Sequence, residues 1–457
     1  MTTSDYLAQN RERFEAELIE FLSIPSVSTD PERSGDVVRC ANWLADHLRG
    51  IGLKHVEVLP TNGHPIVYAE NLEAGEGAPT VLFYGHYDVQ PVDPLNLWTN
   101  PPFDPVVRDG KIFARGATDD KGQVFLHIKA IEALLAVEGR LPVNIKLLIE
   151  GEEEIGSTHL APFVKAHATK LACDSVLVSD TSMFAPGQPS IVYSLRGMAY
   201  MQIDVQGPNR DLHSGSYGGA VQNPLNALAT IIAKLKDEHG HITIDGFYDD
   251  VKPLTEQERA DLAALGHSDD RLKADVDVAA LFGEEGYSSI ERLGARPTLD
   301  VNGILGGFTG EGAKTVLPAR AMAKVSMRLV PHQKHDDIAE KFTAYVKSIA
   351  PVGVTVQVQD LHGADPVLVE RDSSVMHAAT QALEETFSAK CRFTREGGSI
   401  PVVLLFDQVL NVPTVLMGFG LNNENAHSPD EHFDLSNFHT GMRAVVRYHH
   451  LLAAAGR

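Results

Sequence analysis

The chain is 457 residues long, 43% hydrophobic and 22% charged, a mixture that excludes a fibrous or disordered chain and a length that calls for two or three domains. Its formal net charge of −22, with no lysine/arginine cluster to offset it, argues against nucleic-acid and anionic-membrane partners. Three scattered cysteines, Cys40, Cys173 and Cys391, form no CxxC pair, which excludes a disulfide framework and a thiolate zinc site and points to a reducing, cytoplasmic setting.

Residues 5–22 carry acids and arginines through a helical pattern, without the unbroken apolar stretch of a signal peptide. Further helices are expected over 35–51 and 121–138, stopped by Gly52 and Gly139. The compact apolar runs at 80–84 (TVLFY), 143–149 (VNIKLLI) and 175–179 (SVLVS) read as strands buried on both faces, which predicts a mostly parallel sheet beneath helices. From about residue 196 the texture changes: MQIDVQ and later VTVQVQD alternate apolar and polar residues, as strands with one wet face do. Helices are expected there near 223–238 and 336–349, with a polar insertion at 245–294 left unassigned. After Gly363 come a helix at 373–387, an apolar run at 412–417 and a last helix at 436–455. The expected architecture is α/β: a mostly parallel-sheet domain of residues 1–195 and 363–457, interrupted by an α+β domain of 196–362. No run approaches the ~18 apolar residues of a membrane-spanning helix.

The polar signals follow the strands. GHYDVQP comes after TVLFY, GEEEIGS after IKLLIE, Asp180 after SVLVS, and the loop holding His427 after VPTVLMGFG. Ligand sites in open α/β sheets lie at the carboxyl ends of strands, so this placement argues for one shared site. His86 and Asp88, two residues apart in an extended segment, face the same way, so a carboxylate can accept the N–H of a metal-ligating imidazole. ARGATDDKG sets Asp119 and Asp120 in a glycine-bounded loop before a helix, where loop aspartates are also ordinary caps. Three successive glutamates, Glu152, Glu153 and Glu154, at the end of a buried strand repel one another unless cations or protons intervene. Each feature alone is commonplace. Together, imidazoles and carboxylates without thiolates suit zinc, manganese or cobalt, and two such ions can share a bridging carboxylate.

With GHYDVQP, ARGATDDKG, EEIGS, DLHSGSYGG, SMRLVP, REGGSIP and AHSPDE in this order, nearly the whole chain resembles the co-catalytic dizinc metallopeptidases. It is most similar to their carnosinase-like dipeptidase branch; carboxypeptidase G and succinyl-diaminopimelate desuccinylase are other members. The resemblance implies two divalent ions, zinc first and manganese or cobalt as alternatives. It implies that Asp119 bridges them, that His86 and Asp180 hold one, and that Glu154 and His427 hold the other. Glu153 becomes the general base and Asp88 the residue orienting His86. The family pattern carries two glutamates where this chain has three, and the following Ile-Gly-Ser sets the register at Glu153 and Glu154. In the inserted domain, which the resemblance makes a lid and dimerisation domain, His213 matches the oxyanion-stabilising histidine, acting on the site of a partner subunit. Arg328 matches the arginine that grips a substrate carboxylate, and Thr315 and Ser399 match substrate-contacting positions. The expectation is a homodimeric metal-dependent dipeptidase acting on small peptides with a free carboxylate. An N-acyl amino-acid deacylase or desuccinylase built on the same site, and a noncatalytic binding protein retaining the fold, are the alternatives.

Overall fold

The computed structural model describes residues 1–266, 268–397 and 401–455. The chain folds as two compact units: Met1–Tyr193 with Val369–Thr394 and Leu405–Arg457, and Ser194–Leu368 with Arg395–Leu404.

In the first unit the strands Asn144–Glu150, Thr80–His86, Ser175–Val178 and Thr414–Leu416 run parallel, side by side in that order. Their registers pair His86 with Glu150 and Val178 with Leu416, so the ends of all these strands fall along one edge of the sheet. The expected mostly parallel sheet is therefore present, with antiparallel flanks. On one side lie Ile66–Asn71 and then His55–Leu59; on the other, Ser190–Leu195 pairs antiparallel with Thr414–Leu416. The helix Lys121–Glu138 is buried along its first fourteen residues and packs on the long helix Leu435–Ala455. That sandwiching explains why its apolar residues go all the way round rather than forming a stripe.

The helix expected over residues 5–22 is two helices, Thr3–Gln9 and Arg11–Leu22. The break falls at Asn10, whose backbone turns to φ −100°, ψ 11° while its side-chain amide joins its own N–H on the Tyr6 carbonyl, at 2.9 and 3.1 Å. The helix expected over 223–238 stops at Ala233, where the Lys234 carbonyl instead accepts from Thr243 and from Tyr345 Oη at 3.1 Å. The helix Pro401–Leu410 was not anticipated, since a continuous apolar run carries no period that distinguishes helix from strand.

The second unit is built, among the described residues, on a four-stranded antiparallel sheet in the order Thr298–Gly306, Arg320–Leu329, Gly197–Gln206, Thr355–Ala364. Alternation along the two central strands puts Ala199, Met201, Ile203 and Val205 on the same buried face as Ala323, Val325, Met327 and Leu329. The helices Pro224–Ala233 and His335–Ser348 cover that face with Leu228, Ile231, Ile338 and Phe342. The polar insertion at 245–294 carries the short helices Glu256–Ala263, Asp269–Asp275 and Ser289–Gly294. No helix among the described residues is long and apolar enough to cross a membrane.

Candidate metal centre

His86 is the last residue of its strand and is fully buried. Its Nδ1 lies 3.0 Å from the carbonyl oxygen of Asp88 and 3.4 Å from the Asp88 carboxylate. An acceptor on that side keeps the proton of a neutral ring on Nδ1 and leaves the Nε2 lone pair free to ligate. Nε2 faces Asp119 Oδ1 at 3.1 Å and Asp180 Oδ2 at 3.9 Å. The Asp88 carboxylate does a second job: it accepts the backbone N–H groups of Glu153 and Glu154 at 3.2 and 3.1 Å, capping the single turn Glu153–Ile155. That cap separates the three glutamates. Glu152 turns back to accept from the His64 N–H at 3.0 Å and to lie 2.8 Å from His159 Nδ1. The Glu154 carboxylate accepts from Gln90 Nε2 at 2.6 Å and lies 3.4 Å from His427 Nε2.

Asp119 stands between the two histidines, with Oδ1 toward His86 and Oδ2 2.8 Å from His427 Nε2. His427 has a left-handed backbone, φ 61°, a conformation sparsely used by residues with a side chain and enriched at ligand sites. The peptide between Asp119 and Asp120 is cis. Asp120 Oδ2 accepts the His86 N–H at 3.2 Å, and Asp120 precedes the helix Lys121–Glu138, whose N-terminal end favours negative charge. Close packing holds this loop: a Cβ on Gly122 would lie 2.0 Å from the Ala117 carbonyl oxygen.

Two groups of potential ligand atoms result, His86 with Asp119 and Asp180, and Asp119 with Glu154 and His427, each within 4.8 Å of one another and joined through Asp119. A tetrahedral ion with nitrogen and oxygen ligands at ~2.0–2.1 Å separates its ligand atoms by roughly 3.3 Å, and the histidine–carboxylate separations here spread on either side of that, 2.8 and 3.1 Å to Asp119, 3.4 Å to Glu154 and 3.9 Å to Asp180. The electrostatics also call for cations. Burial, then the neighbouring Asp119, pushes the Glu154 carboxyl up to about 10. Burial together with Asp180, Asp119 and Asp88 raises Glu153 to about 8. Asp180 is raised to about 6 by burial and Asp119. Burial also acts against an ionised Asp119, yet the His427 and His86 rings that face it outweigh burial and hold that carboxyl below its usual range. Carboxylates so crowded and desolvated ionise together only if positive charge joins them, and the donor set of imidazole and carboxylate fits divalent zinc-class ions. A third group, Glu17, His47 and Glu132, differs in kind. Lys129 Nζ already fills it, 2.7 Å from both His47 Nε2 and Glu132 Oε2 and paired with Glu17.

The remaining expected site residues belong to the second unit. His213 ends the short strand Leu212–His213, is exposed, and accepts the Gly215 N–H on Nδ1 at 2.9 Å. That bond leaves the proton of the neutral ring on Nε2. Thr315 sits beside it, its carbonyl accepting the Ser214 N–H at 3.1 Å. Arg328 projects from the half-buried face of Arg320–Leu329, opposite the buried Val325, Met327 and Leu329. Ser399 lies outside the described residues. Sequence reasoning passed over Gln90, Arg115 and Glu431. All three stand inside the motifs GHYDVQP, ARGATDDKG and AHSPDE, where their neighbours drew attention as ligands and they did not.

The fold agrees with what similarity shows. Residues 82–450 match the model of Peptidase family M20/M25/M40, and the chain belongs to that family. It is 33% identical to the Cys-Gly metallodipeptidase of Candida albicans over 99% of this chain and 97% of that protein. It is 31% identical to the human Beta-Ala-His dipeptidase over 97% and 90% of the two chains. Among solved structures, human carnosine dipeptidase 1 matches with a TM-score of 0.84, at 29% identity over 99% of this chain and 98% of that one.

Proposed function

We propose that the protein is a dipeptidase that binds two divalent metal ions and cleaves small peptides of the Cys-Gly or β-Ala-His kind. The observation that carries this reading is the pair of ligand groups sharing Asp119, in a chain whose full-length relatives are metallodipeptidases. His86 and Asp180 complete one site, Glu154 and His427 the other. Ions held there supply Lewis-acid polarisation of the scissile carbonyl and lower the pKa of water. Glu153 accepts the proton of the attacking water and returns it to the leaving amine, so that a free carboxylate and a free amine are released. Asp88 keeps the His86 ring in register and, through the N–H groups of Glu153 and Glu154, fixes where the base stands. In the second unit, His213 donates from Nε2 to the developing oxyanion, worth on the order of 3 kcal/mol, and Arg328 receives the substrate carboxylate in a bidentate pair. Thr315 and Ser399 contact substrate. We further propose a homodimer in which His213 serves the partner's site, and a cytoplasmic location, in keeping with three unpaired thiols.

The test is Glu153→Gln. Loss of the base predicts a kcat for a dipeptide lower by ~10²–10⁴-fold with metal content unchanged, and undiminished turnover in the metal-replete variant would remove Glu153 from this role. Comparing a free-amine dipeptide with its N-acetylated form checks the substrate class, since preference for the acylated compound would make the enzyme a deacylase.

A further inference from the structure

The Glu431 carboxylate is buried and saturated. One oxygen accepts the backbone N–H groups of Thr118 and Asp119 at 3.1 and 3.2 Å. The other accepts Arg115 Nη1 at 2.6 Å and the Gly116 N–H at 3.1 Å. The loop from Arg115 to Asp119 is thus wrapped around an internal anion, as successive N–H groups wrap a bound phosphate. Arg115, only 1% exposed, is held in turn by the Pro91 carbonyl at 3.0 Å, and the Ala114 N–H donates to the Glu431 backbone carbonyl at 3.0 Å. Two features give this brace a consequence beyond stability. The residue whose N–H it fixes is Asp119, the member common to both ligand groups. Glu431 also stands four residues after His427, so one carboxylate ties the segment carrying a terminal ligand to the loop carrying the shared one.

We infer that Glu431 is a positioning residue for the metal centre, setting through the Asp119 backbone the separation of the two ligand groups. This rests on the dinuclear reading above. Side-chain chemistry explains the choice of glutamate. Glutamine would keep one accepting oxygen and turn an NH2 against two donors, leaving Arg115 without its counter-charge. Aspartate would keep the charge but withdraw the carboxylate by about 1.5 Å, too far to hold both pairs of donors.

The experiment measures Co²⁺ binding by equilibrium dialysis and by the visible absorption of the bound ion, in metal-stripped wild type, Glu431→Gln, Glu431→Asp and, as a control, Glu132→Gln. Glu132 is likewise a mostly buried carboxylate with charged partners, Arg13 and Lys129, and touches none of the proposed ligands. The folded Glu431 variants are expected to bind Co²⁺ about 10–100-fold more weakly, with altered absorption, while Glu132→Gln changes only the melting temperature. If Glu431→Gln does not fold, Glu431→Asp, which keeps the charge beside Arg115, carries the comparison. Wild-type affinity and spectrum in a folded Glu431 variant would overturn the inference, as would an equal loss in Glu132→Gln. Wild-type protein that takes up no Co²⁺ would overturn the dinuclear reading itself, and this inference with it.

Discussion

His449 lies on the helix Leu435–Ala455, 3% exposed, and its Nδ1 has no hydrogen-bond partner. Burial, helped by the charge of His450, pushes its pKa down from 6.5 to about 3. Between these values the unfolded chain binds a proton that the folded protein refuses. The stability is therefore complete above pH ~6.5 and falls as the medium is acidified toward the folded pKa. At pH 5 the unfolded ring is about 1.5 units below its own pKa, and at ~1.4 kcal/mol per unit the loss is ~2 kcal/mol; by pH 4 it is ~3 kcal/mol. His449→Leu removes the titrating group from both states. Between pH 7 and pH 5 the difference in unfolding free energy between variant and wild type should accordingly move by ~2 kcal/mol in the variant's favour. Titrating groups that do not feel His449 act in both proteins and cancel in that difference; His127, held low first by burial and then by His449, is kept low in the variant by burial. Trp43 and Trp98 are the only tryptophans, and both belong to the same unit as His449. Urea unfolding followed by tryptophan fluorescence, in chelator so that metal release does not contribute, thus reads the relevant unit. Parallel stability curves for the two proteins from pH 7 to pH 5 would refute the argument that burial holds this ring neutral.

Three further outcomes are expected. His427→Ala removes a ligand from one group only, and Asp119→Asn weakens a ligand of both. Dialysis against zinc should leave one tight equivalent in the first variant and weaken both in the second, by more than the ~10–100-fold typical of outer-shell changes. Gly122→Ala forces a Cβ to within 2.0 Å of the Ala117 carbonyl oxygen; a strain of ~1–3 kcal/mol or more should lower the melting temperature, and an unchanged one would show that the loop yields freely. Phe342→Ala empties a fully buried position in the core of the second unit, so calorimetry should show a loss of ~3–5 kcal/mol.

The sequence alone carried the elements whose pattern is set by burial. TVLFY, VNIKLLI and SVLVS are apolar because both faces of a central parallel strand are covered, and the residues after them are polar because the strand ends open onto a site. The helices Ser34–Gly50 and Lys121–Glu138 ended where glycine follows or closes them. The motif residues His86, Asp119, Asp180, Glu154 and His427 read one by one as commonplace strand-end or loop residues; it is the resemblance carried by their motifs in series that marks them as a ligand set. Other features depend on partners distant in the chain. Which of three adjacent glutamates turns toward the cluster is decided by Asp88, some 65 residues earlier, capping their turn. Glu17, His47 and Glu132 resemble a ligand group until Lys129 is seen among them. Glu431 reads as one more acidic residue of a surface loop, yet it is buried against Arg115 and three backbone N–H groups. Local pattern reports which face of an element is dry; the direction of a polar side chain is fixed by hydrogen bonds to groups that only the folded chain brings within reach.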